Sequence, residues 1–379
     1  MGGIYPTLFP EKVIENPLVD VICIGEGEIS LSEFLEKLRT GEISDDVEGI
    51  WYKEKSGKLH KSKIRPFMQD LSNLPLLNYS YWDIANYLRV DRYFIGSLPF
   101  LSSRGCPFNC RFCSNGTLKN LIPGKLYRVR PVKDIIEEIK INYQKYNFRI
   151  VNFADEVFGL SKPHFEELVA AYCREGLHKQ LPWTCETRAD IITEGWCKLA
   201  KESGCILVSV GIETGNEYRR RVIYNKNITN EQIKIAVENL KKYNIMYKFN
   251  FIIGGPEENK NSLKDTFKMI DKYKPLFVLM WPYIHLPKTD IWTKGDKIVE
   301  SRRFQFILFR FKIKQLFSTA FKAFSMRKIK FLKDILVYIL NIRKCRPLKL
   351  WSDIFLFNLK KYTLLEYTFQ EKYSSSHKT

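Results

Sequence analysis

Six short apolar runs alternate with helical stretches, and this alternation limits the fold more than any other feature of the sequence. The runs cover 98–103, 148–154, 181–187, 206–212, 247–253 and 277–284. Helical periodicity lies between them at about 132–146, 163–175, 193–203, 229–243 and 260–273. Strands that are each separated by a helix predict a parallel sheet with right-handed crossovers. An open doubly wound sheet and a partial barrel both satisfy the pattern, and in either one the chemistry collects at the carboxyl ends of the strands.

Three of the nine cysteines lie in one short loop directly after the first run. Cys106, Cys110 and Cys113 have the spacing C-x-x-x-C-x-x-C, which lets three thiolates converge on one metal centre. Thiolates favour zinc or iron–sulfur clusters. A closed zinc site needs four ligands, and the nearest downstream candidates, His164 and Cys173, lie an element or more away. Three ligands on a cubane cluster leave one iron open, as a catalytic centre requires, whereas a zinc loop with a remote fourth ligand is the alternative.

The loop resembles the signature of radical S-adenosylmethionine (SAM) enzymes, C-x-x-x-C-x-aromatic-C, with Phe112 as the aromatic residue. The family places this loop after the first strand of a partial (β/α)6 barrel, so the resemblance implies an α/β, TIM-like core. It also implies a [4Fe-4S] cluster on Cys106, Cys110 and Cys113. In the family the open iron binds the amino and carboxylate groups of SAM. One electron from the cluster then cleaves SAM into methionine and a 5′-deoxyadenosyl radical.

The ends of the second and third strands supply candidates for binding the methionine part of SAM. Asp155 and Glu156 follow the second strand, where similar proteins contact the methionine amino group. A solvated acid pair or a helix cap is the alternative for these two residues. Arg188 follows the third strand, and the resemblance suggests that it pairs with the SAM carboxylate. A structural pairing of Arg188 with Asp190 or Glu186 is equally compatible with the sequence.

The fourth and fifth strands supply candidates for the nucleoside part of SAM. Glu213 resembles the ribose-contacting position of the family, and an internal salt bridge with a basic neighbour is the alternative. Ile252 and Gly254 lie in a segment similar to the family's G-x-I-x-G-x-x-E element, which meets adenine. Asn250 stands where the first glycine of that element is usual, so the match is loose.

Residues 2–39 resemble the last part of a cobalamin-binding Rossmann-like domain. The matching residues are Gly2-Gly3-Ile4-Tyr5-Pro6-Thr7 and 19–28, which read VDVICIGEGE. In that family a D-x-H-x-x-G loop, whose histidine can ligate cobalt, comes earlier, and none of the five histidines here lies in such a motif. We therefore expect a truncated product, a fragment, or a chain completed by a partner. Cobalamin is suggested by kinship, while the missing motif argues against tight binding.

Charge is concentrated at the C-terminal end of the chain. Residues 301–379 hold 18 Lys and Arg against 4 Asp and Glu, whereas the whole chain has a net charge of +19. This asymmetry marks a separate basic helical module (294–379). The resemblances and the strand pattern described above predict the other three segments, which are a cobalamin-domain remnant (1–45), a linker with a hairpin (46–97) and the barrel (98–293). The basic module is expected to cap the barrel or to contact an anionic membrane surface, and nucleic acid is a weaker expectation.

These features together predict a cytoplasmic radical SAM enzyme, at most peripheral to the membrane. The expected chemistry is methyl transfer, cyclisation or rearrangement of a small-molecule or lipid-like substrate, with flavodoxin or ferredoxin as the electron donor. Two other classes remain open from the sequence. The first is a truncated, inactive relic that acts as a binding or scaffold protein, and the second is a zinc-binding nucleic-acid protein.

Overall fold

A computed structural model of the 379-residue chain describes residues 1–41, 46–54, 56–84, 88, 96–284, 286 and 288–291. The predicted basic module and its membrane contact lie outside the described residues. The chain divides into two compact units. The first comprises Met1–Asn78, Pro99–Lys145 and Val151–Ile298, and the second comprises Tyr79–Leu98, Tyr146–Ile150 and Val299–Thr379. The four predicted segment boundaries stay predictions.

The N-terminal part of the first unit forms a small three-stranded sheet flanked by helices. Strands β1 (Val21–Cys23), β2 (Ile50–Lys53) and β3 (Leu59–Lys61) pair in that order, and both pairings are antiparallel. The hairpin predicted within the linker is therefore confirmed, with β2 and β3 as its strands. Helices span Ile4–Leu8, Pro10–Ile14 and Gly27–Thr40. The apolar side chains of β1 alternate between two small buried clusters, one beside Phe34 and one beside Val13.

A six-stranded sheet forms the larger part of the fold. Its strands are β4 (Ser97–Phe100), β7 (Ile150–Phe153), β8 (Trp183–Thr187), β9 (Cys205–Glu213), β10 (Met246–Ile253) and β11 (Phe277–Pro282), and a separate pair is formed by β5 (Ser103–Arg104) and β6 (Arg128–Val129). The spatial order is β11-β10-β9-β8-β7-β4, with parallel pairing from β7 to β11. A doubly wound sheet reverses its strand order at a switch point. This sheet does not, so the partial barrel is confirmed and the doubly wound alternative is excluded.

Helices connect consecutive strands close to the positions that the periodicity predicts. They span Val132–Tyr146, Lys162–Arg174, Glu194–Glu202, Asn230–Lys242 and Lys260–Tyr273, with shorter helices at Ser114–Leu121 and Leu177–Gln180. The helix that begins at Asn230 is fixed by a capping box, in which Thr229 and Gln232 bind each other's backbone N–H. Among the described residues no helix has the length and apolar character needed to cross a bilayer.

The two faces of the sheet differ in character. Trp183 of β8 packs against Trp196 of a connecting helix, with ring centroids 6.4 Å apart, and Phe249 of β10 packs against the helical Tyr273 at 6.3 Å. Side chains alternate between faces along a strand. Residues one position away from these, such as Thr184 and Lys248, therefore lie on the inner face. The sheet thus has an aromatic, helix-covered outer face and an inner face that carries polar side chains.

Candidate active site

The cysteine loop begins at the short β5–β6 pair and ends at a helix. Gly105 has φ +77°, and a Cβ added there would lie 2.2 Å from the carbonyl oxygen of Leu126. Only glycine fits this position, because the left-handed backbone and the close approach both exclude a side chain. At the other end, the N–H of Cys113 donates to the carbonyl oxygen of Cys110 at 3.0 Å, and the helix Ser114–Leu121 follows at once. The loop therefore has a fixed path between its three cysteines.

The three thiols lie within eight residues of one loop, in a shielded environment. Cys106 and Cys110 are buried, and Cys113 is half-buried. Burial raises the pKa of all three thiols, to about 11 for Cys113, and the charge of the neighbouring cysteines raises the pKa of Cys106 and Cys113 further. Ligand binding must therefore release their protons, as is general for thiolate centres.

The donor set of three thiolates is compatible with an iron–sulfur cluster. Within the described ranges, no three His, Cys, Asp or Glu side chains are arranged to hold one metal ion. The ligands of a cubane bind different iron atoms, so they are more widely spaced than the ligands of one ion. Three soft thiolates are the ligand type that such clusters use. The loop is thus compatible with the predicted [4Fe-4S] cluster.

Arg188 lies directly beside the cysteine loop. Its guanidinium group stacks over the ring of Phe108 at 3.5 Å and binds Asp190 through two hydrogen bonds of 3.0 and 2.8 Å. Burial raises the pKa of Cys110, while the charges of Lys226 and Arg188 act in the opposite direction. The pairing with Asp190 is one of the two structural partners that the sequence left open. A contact between Arg188 and a SAM carboxylate stays a prediction.

The two acidic residues after β7 have different surroundings. Asp155 is fully buried, and its carboxylate accepts hydrogen bonds from the backbone N–H of Ser102, from the Ser102 hydroxyl at 2.8 Å and from the Ser103 hydroxyl. Burial raises the pKa of Asp155. Glu156 is exposed, although the surrounding protein still raises the pKa of its carboxyl by desolvation. Asp155 therefore ties the cysteine loop to β7, and Glu156 is the member of the pair that a ligand can reach.

Glu213 ends β9 in an unusual backbone conformation. Its φ is +67°, and the pairing register between β9 and β10 shifts at this point. Its carboxylate binds the ammonium group of Lys226 at 2.7 Å, and this pair lies over Gly211, where an added Cβ would be 2.8 Å from both charged groups. Irregular strand ends that redirect a side chain are common beside active sites. The internal salt bridge is therefore present, and the ribose contact stays a prediction.

The predicted adenine segment and the aromatic residue of the cysteine loop meet in one cluster. Ile252 and Phe112 both pack against a buried cluster of Tyr224, Tyr283 and Ile291, and the ring centroids of Phe112 and Tyr224 are 5.2 Å apart. The N–H of Gly254 donates to the carboxylate of Glu258. The structure thus brings together two predicted site residues that are 140 positions apart in the chain.

A π-helix at Arg219–Ile223, which the sequence analysis missed, supports this cluster. Arg219 binds Glu258 at 2.6 Å, and both side chains are at most 5% exposed. The N–H of Arg111 in the cysteine loop donates to the carbonyl oxygen of Tyr224 at 2.9 Å. Single π-turns are frequent at functional sites. No sequence pattern marks this turn, although two consecutive buried arginines, Arg219 and Arg220, are an unusual feature.

An ionic cluster joins the N-terminal part of this unit to the start of the cysteine loop. Arg104, two residues before Cys106, binds Glu26 at 3.2 Å and Glu28 at 2.6 Å. Glu26 also binds Arg128 of β6 at 2.8 Å and accepts the N–H of Met68 at 2.9 Å. These contacts, together with the positive charges of both arginines, lower the pKa of Glu26 even though its burial acts in the opposite direction.

Glu26→Gln is expected to destabilise the protein by about 1–3 kcal/mol, because two arginines then lose a charged partner in a mostly buried setting. The free energy of unfolding in urea measures the effect. Glu36→Gln is the matched control, because the pair that Glu36 forms with Arg39 within its own helix is exposed. Equal midpoints for the Glu26→Gln variant and the parent protein would contradict the role assigned to Glu26.

Comparison with known proteins shows which family the sequence matches. A sequence profile of the radical SAM superfamily matches residues 100–270. The chain is 33% identical over 299 residues to an uncharacterized methyltransferase of Pyrococcus horikoshii, covering 77% of this chain and 61% of that protein. It is 29% identical over 308 residues to the anaerobic magnesium-protoporphyrin IX monomethyl ester cyclase of Rubrivivax gelatinosus, covering 79% and 53%. The chain thus spans little more than half the length of these relatives.

The fold also matches a solved structure, the radical SAM methyltransferase TsrM from Kitasatospora setae with tryptophan substrate and a SAM analogue bound. The TM-score is 0.63 at 17% identity, and the match covers 76% of this chain and 56% of that one. At this identity the likeness concerns the fold alone. It agrees with the partial barrel derived from the strand order.

Proposed function

Since the chain contains a radical SAM domain, we propose that it binds a [4Fe-4S] cluster through Cys106, Cys110 and Cys113 and cleaves SAM reductively. The observation that carries the proposal is the placement of three shielded thiols within eight residues of one loop, which follows β5 and is held by backbone hydrogen bonds. When bound, the cluster supplies the electron that breaks the S–C5′ bond of SAM. The protein supplies the position of the ligand and a shielded environment.

The proposed roles of the other site residues follow from their places at the strand ends. Glu156, which is exposed, accepts hydrogen bonds from the methionine amino group. Arg188 lies beside Cys110 and offers its guanidinium group to the SAM carboxylate. Glu213 binds the ribose, held in place by Lys226. Asp155 acts indirectly, by holding Ser102 and Ser103 and through them the cysteine loop.

Phe112, Ile252 and Gly254 form the proposed adenine side of the site. Ile252 and Phe112 supply an apolar surface on the Tyr224 cluster. The bond to Glu258 occupies the N–H of Gly254. The carbonyl group of Gly254 is the proposed hydrogen-bond acceptor for adenine. Apolar walls with a few placed polar groups are the usual composition of cofactor sites.

The proposed reaction class is methyl transfer or cyclisation of a small molecule. Two relatives carry those names, one as a methyltransferase and one as a cyclase. The reaction also needs a reductant, and we propose flavodoxin or ferredoxin for this role. Radical transfer from SAM to a substrate carbon requires that the substrate lie on the inner face of the barrel, beyond the SAM site.

Anaerobic reconstitution with iron and sulfide tests the proposal. We expect about four iron atoms for each chain, as one [4Fe-4S] cluster requires. With SAM and a chemical reductant, the reconstituted protein is expected to release methionine and 5′-deoxyadenosine. A protein that binds no iron, or that binds iron and leaves SAM intact, would be an inactive relic. Zinc without sulfide in the purified protein would instead favour the zinc-loop alternative.

A further inference from the structure

A row of polar side chains crosses the inner face of the sheet, and the contacts proposed above for SAM do not use them. The pairing register puts Glu186 of β8 beside Ser209 of β9, and Ser209 beside Lys248 of β10. Asn250 lies two positions further along β10 on the same face. Sheet faces that serve only for packing are apolar. A polar row on an inner face therefore indicates a surface that binds a ligand.

Glu186 is the charged group of this row that a ligand can reach. Its carboxylate lies 3.7 Å from the ammonium group of Lys248, and the side chains are 49% and 6% exposed respectively. Lys248 is thus the buried partner that orients the carboxylate. Glu186 presents a negatively charged acceptor to the inside of the barrel.

Asn250 adds a second acceptor to the same place. Its Nδ2 donates to the hydroxyl of Ser209 at 2.9 Å, which fixes the orientation of the amide. Its Oδ1 is buried and has no hydrogen-bond partner among the described residues. Leaving a buried acceptor without a hydrogen bond has a cost in free energy. A ligand with an N–H group would remove this cost.

Strand β11, which pairs with β10, adds apolar side chains to the same face of the sheet. Phe277, Leu279 and Trp281 of β11 are the register partners of Lys248, Asn250 and Ile252. Partners in a parallel pair project from the same face of the sheet. Trp281 is 46% exposed, which is unusual for so large an apolar side chain in a strand. The inner face therefore combines hydrogen-bond acceptors on β8–β10 with an apolar surface on β11.

We propose that this face binds a substrate that carries an ammonium group on an apolar body, an inference that rests on the proposed radical SAM function. Glu186 binds the ammonium group, and Asn250 Oδ1 accepts a hydrogen bond from one of its N–H groups. Leu279 and Trp281 contact the apolar body. Ile252 lies two residues beyond Asn250, or about 7 Å along the strand. The substrate carbon that meets SAM is therefore about 7 Å from the substrate nitrogen.

Three probes that share one body and differ in the head group test the proposal. They are 4-phenylbutylamine, 4-phenylbutanol and 4-phenylbutyrate, titrated by calorimetry into the full-length chain before and after anaerobic reconstitution. We expect the amine to bind at least about tenfold more tightly than the alcohol or the acid, because a charge-assisted hydrogen bond is lost with either. Tighter binding of the acid, equal binding of all three, or no binding of any would overturn the proposal.

Three variants distinguish binding of the head group from binding of the apolar body. Glu186→Gln is expected to remove the preference for the amine, and Asn250→Ala to reduce it several-fold while leaving the acid unaffected. Trp281→Ala is expected to weaken all three probes alike. An amine preference that survives in both the Glu186 and Asn250 variants would contradict the assignment. Thermal unfolding of each variant checks that the fold is retained.

The failure of this inference can be told apart from the failure of the proposed function. Deoxyadenosine release without any probe measures the proposed function, and the head-group preference is measured without SAM. A chain that cleaves SAM but shows no amine preference would refute only the substrate class. A chain that prefers the amine but assembles no cluster would refute the radical SAM function and leave an amine-binding barrel.

Discussion

Replacing Cys110 with alanine is expected to prevent cluster assembly and to abolish deoxyadenosine formation. The loop offers three thiolates, and a cubane held by only two of them has lost a third of its protein ligands. The positive charges of Lys226 and Arg188 also favour the thiolate form of Cys110. Iron content after anaerobic reconstitution should fall from about four atoms for each chain to less than one.

Cys173→Ala is the matched control for this experiment. Cys173 is half-buried on the helix Lys162–Arg174, outside the cysteine loop, and the chemical change is the same. The control is expected to keep its iron and its SAM cleavage. Full iron content in the Cys110 variant would refute the ligand assignment, and loss of iron in both variants would point to a general effect of removing a thiol.

Replacing Arg219 with methionine is expected to lower the free energy of unfolding by about 3–5 kcal/mol, because it leaves a buried carboxylate without its partner. Arg219 and Glu258 are at most 5% exposed, and Arg219 also donates to the carbonyl oxygen of Pro256 at 2.7 Å. Urea unfolding at neutral pH measures the loss. Arg221→Met is the control, since Arg221 lies on the same π-helix with 44% of its side chain exposed and a longer pair of 3.4 Å to Glu217. Exposed pairs contribute about 0–1 kcal/mol.

The loss of stability in the Arg219 variant is expected to depend on pH. Burial raises the pKa of Glu258 even with Arg219 present, and removal of the arginine should raise it further. A carboxyl whose pKa is higher in the folded than in the unfolded state loses stability as the pH rises between the two values. The deficit of the variant should therefore be smallest at acidic pH and grow towards neutrality. A deficit that is constant with pH would show that lost packing, not the unpaired charge, is responsible.

The order of strands and helices could be read from the sequence because it is encoded locally. Apolar runs of strand length and the 3.6-residue period each involve neighbours in the chain. The observed strands β7 to β11 and their connecting helices accordingly lie close to the predicted ranges. The cysteine loop was also readable, since all three thiols lie within eight residues.

The partners of the candidate site residues were less accessible to sequence analysis. For Asp155 the sequence suggested a ligand contact, whereas the structure shows bonds to Ser102 and Ser103, more than 50 residues away. For Glu213 the sequence allowed a salt bridge but could not identify Lys226, because that pairing depends on the bulge at the end of β9. Such contacts depend on register and backbone conformation, which no local pattern specifies.

The sequence by itself determined the succession of strands and helices, the loop that carries the three thiols and, through that loop, the kind of cofactor the chain can hold. Only the tertiary structure decided the unreversed strand order, the burial of Asp155 under the loop, and the polar row that Glu186 and Lys248 form on the inner face. The physical reason is that hydrophobic periodicity acts between neighbours in the chain. The pairing of strands brings together charges that the sequence keeps more than 60 residues apart.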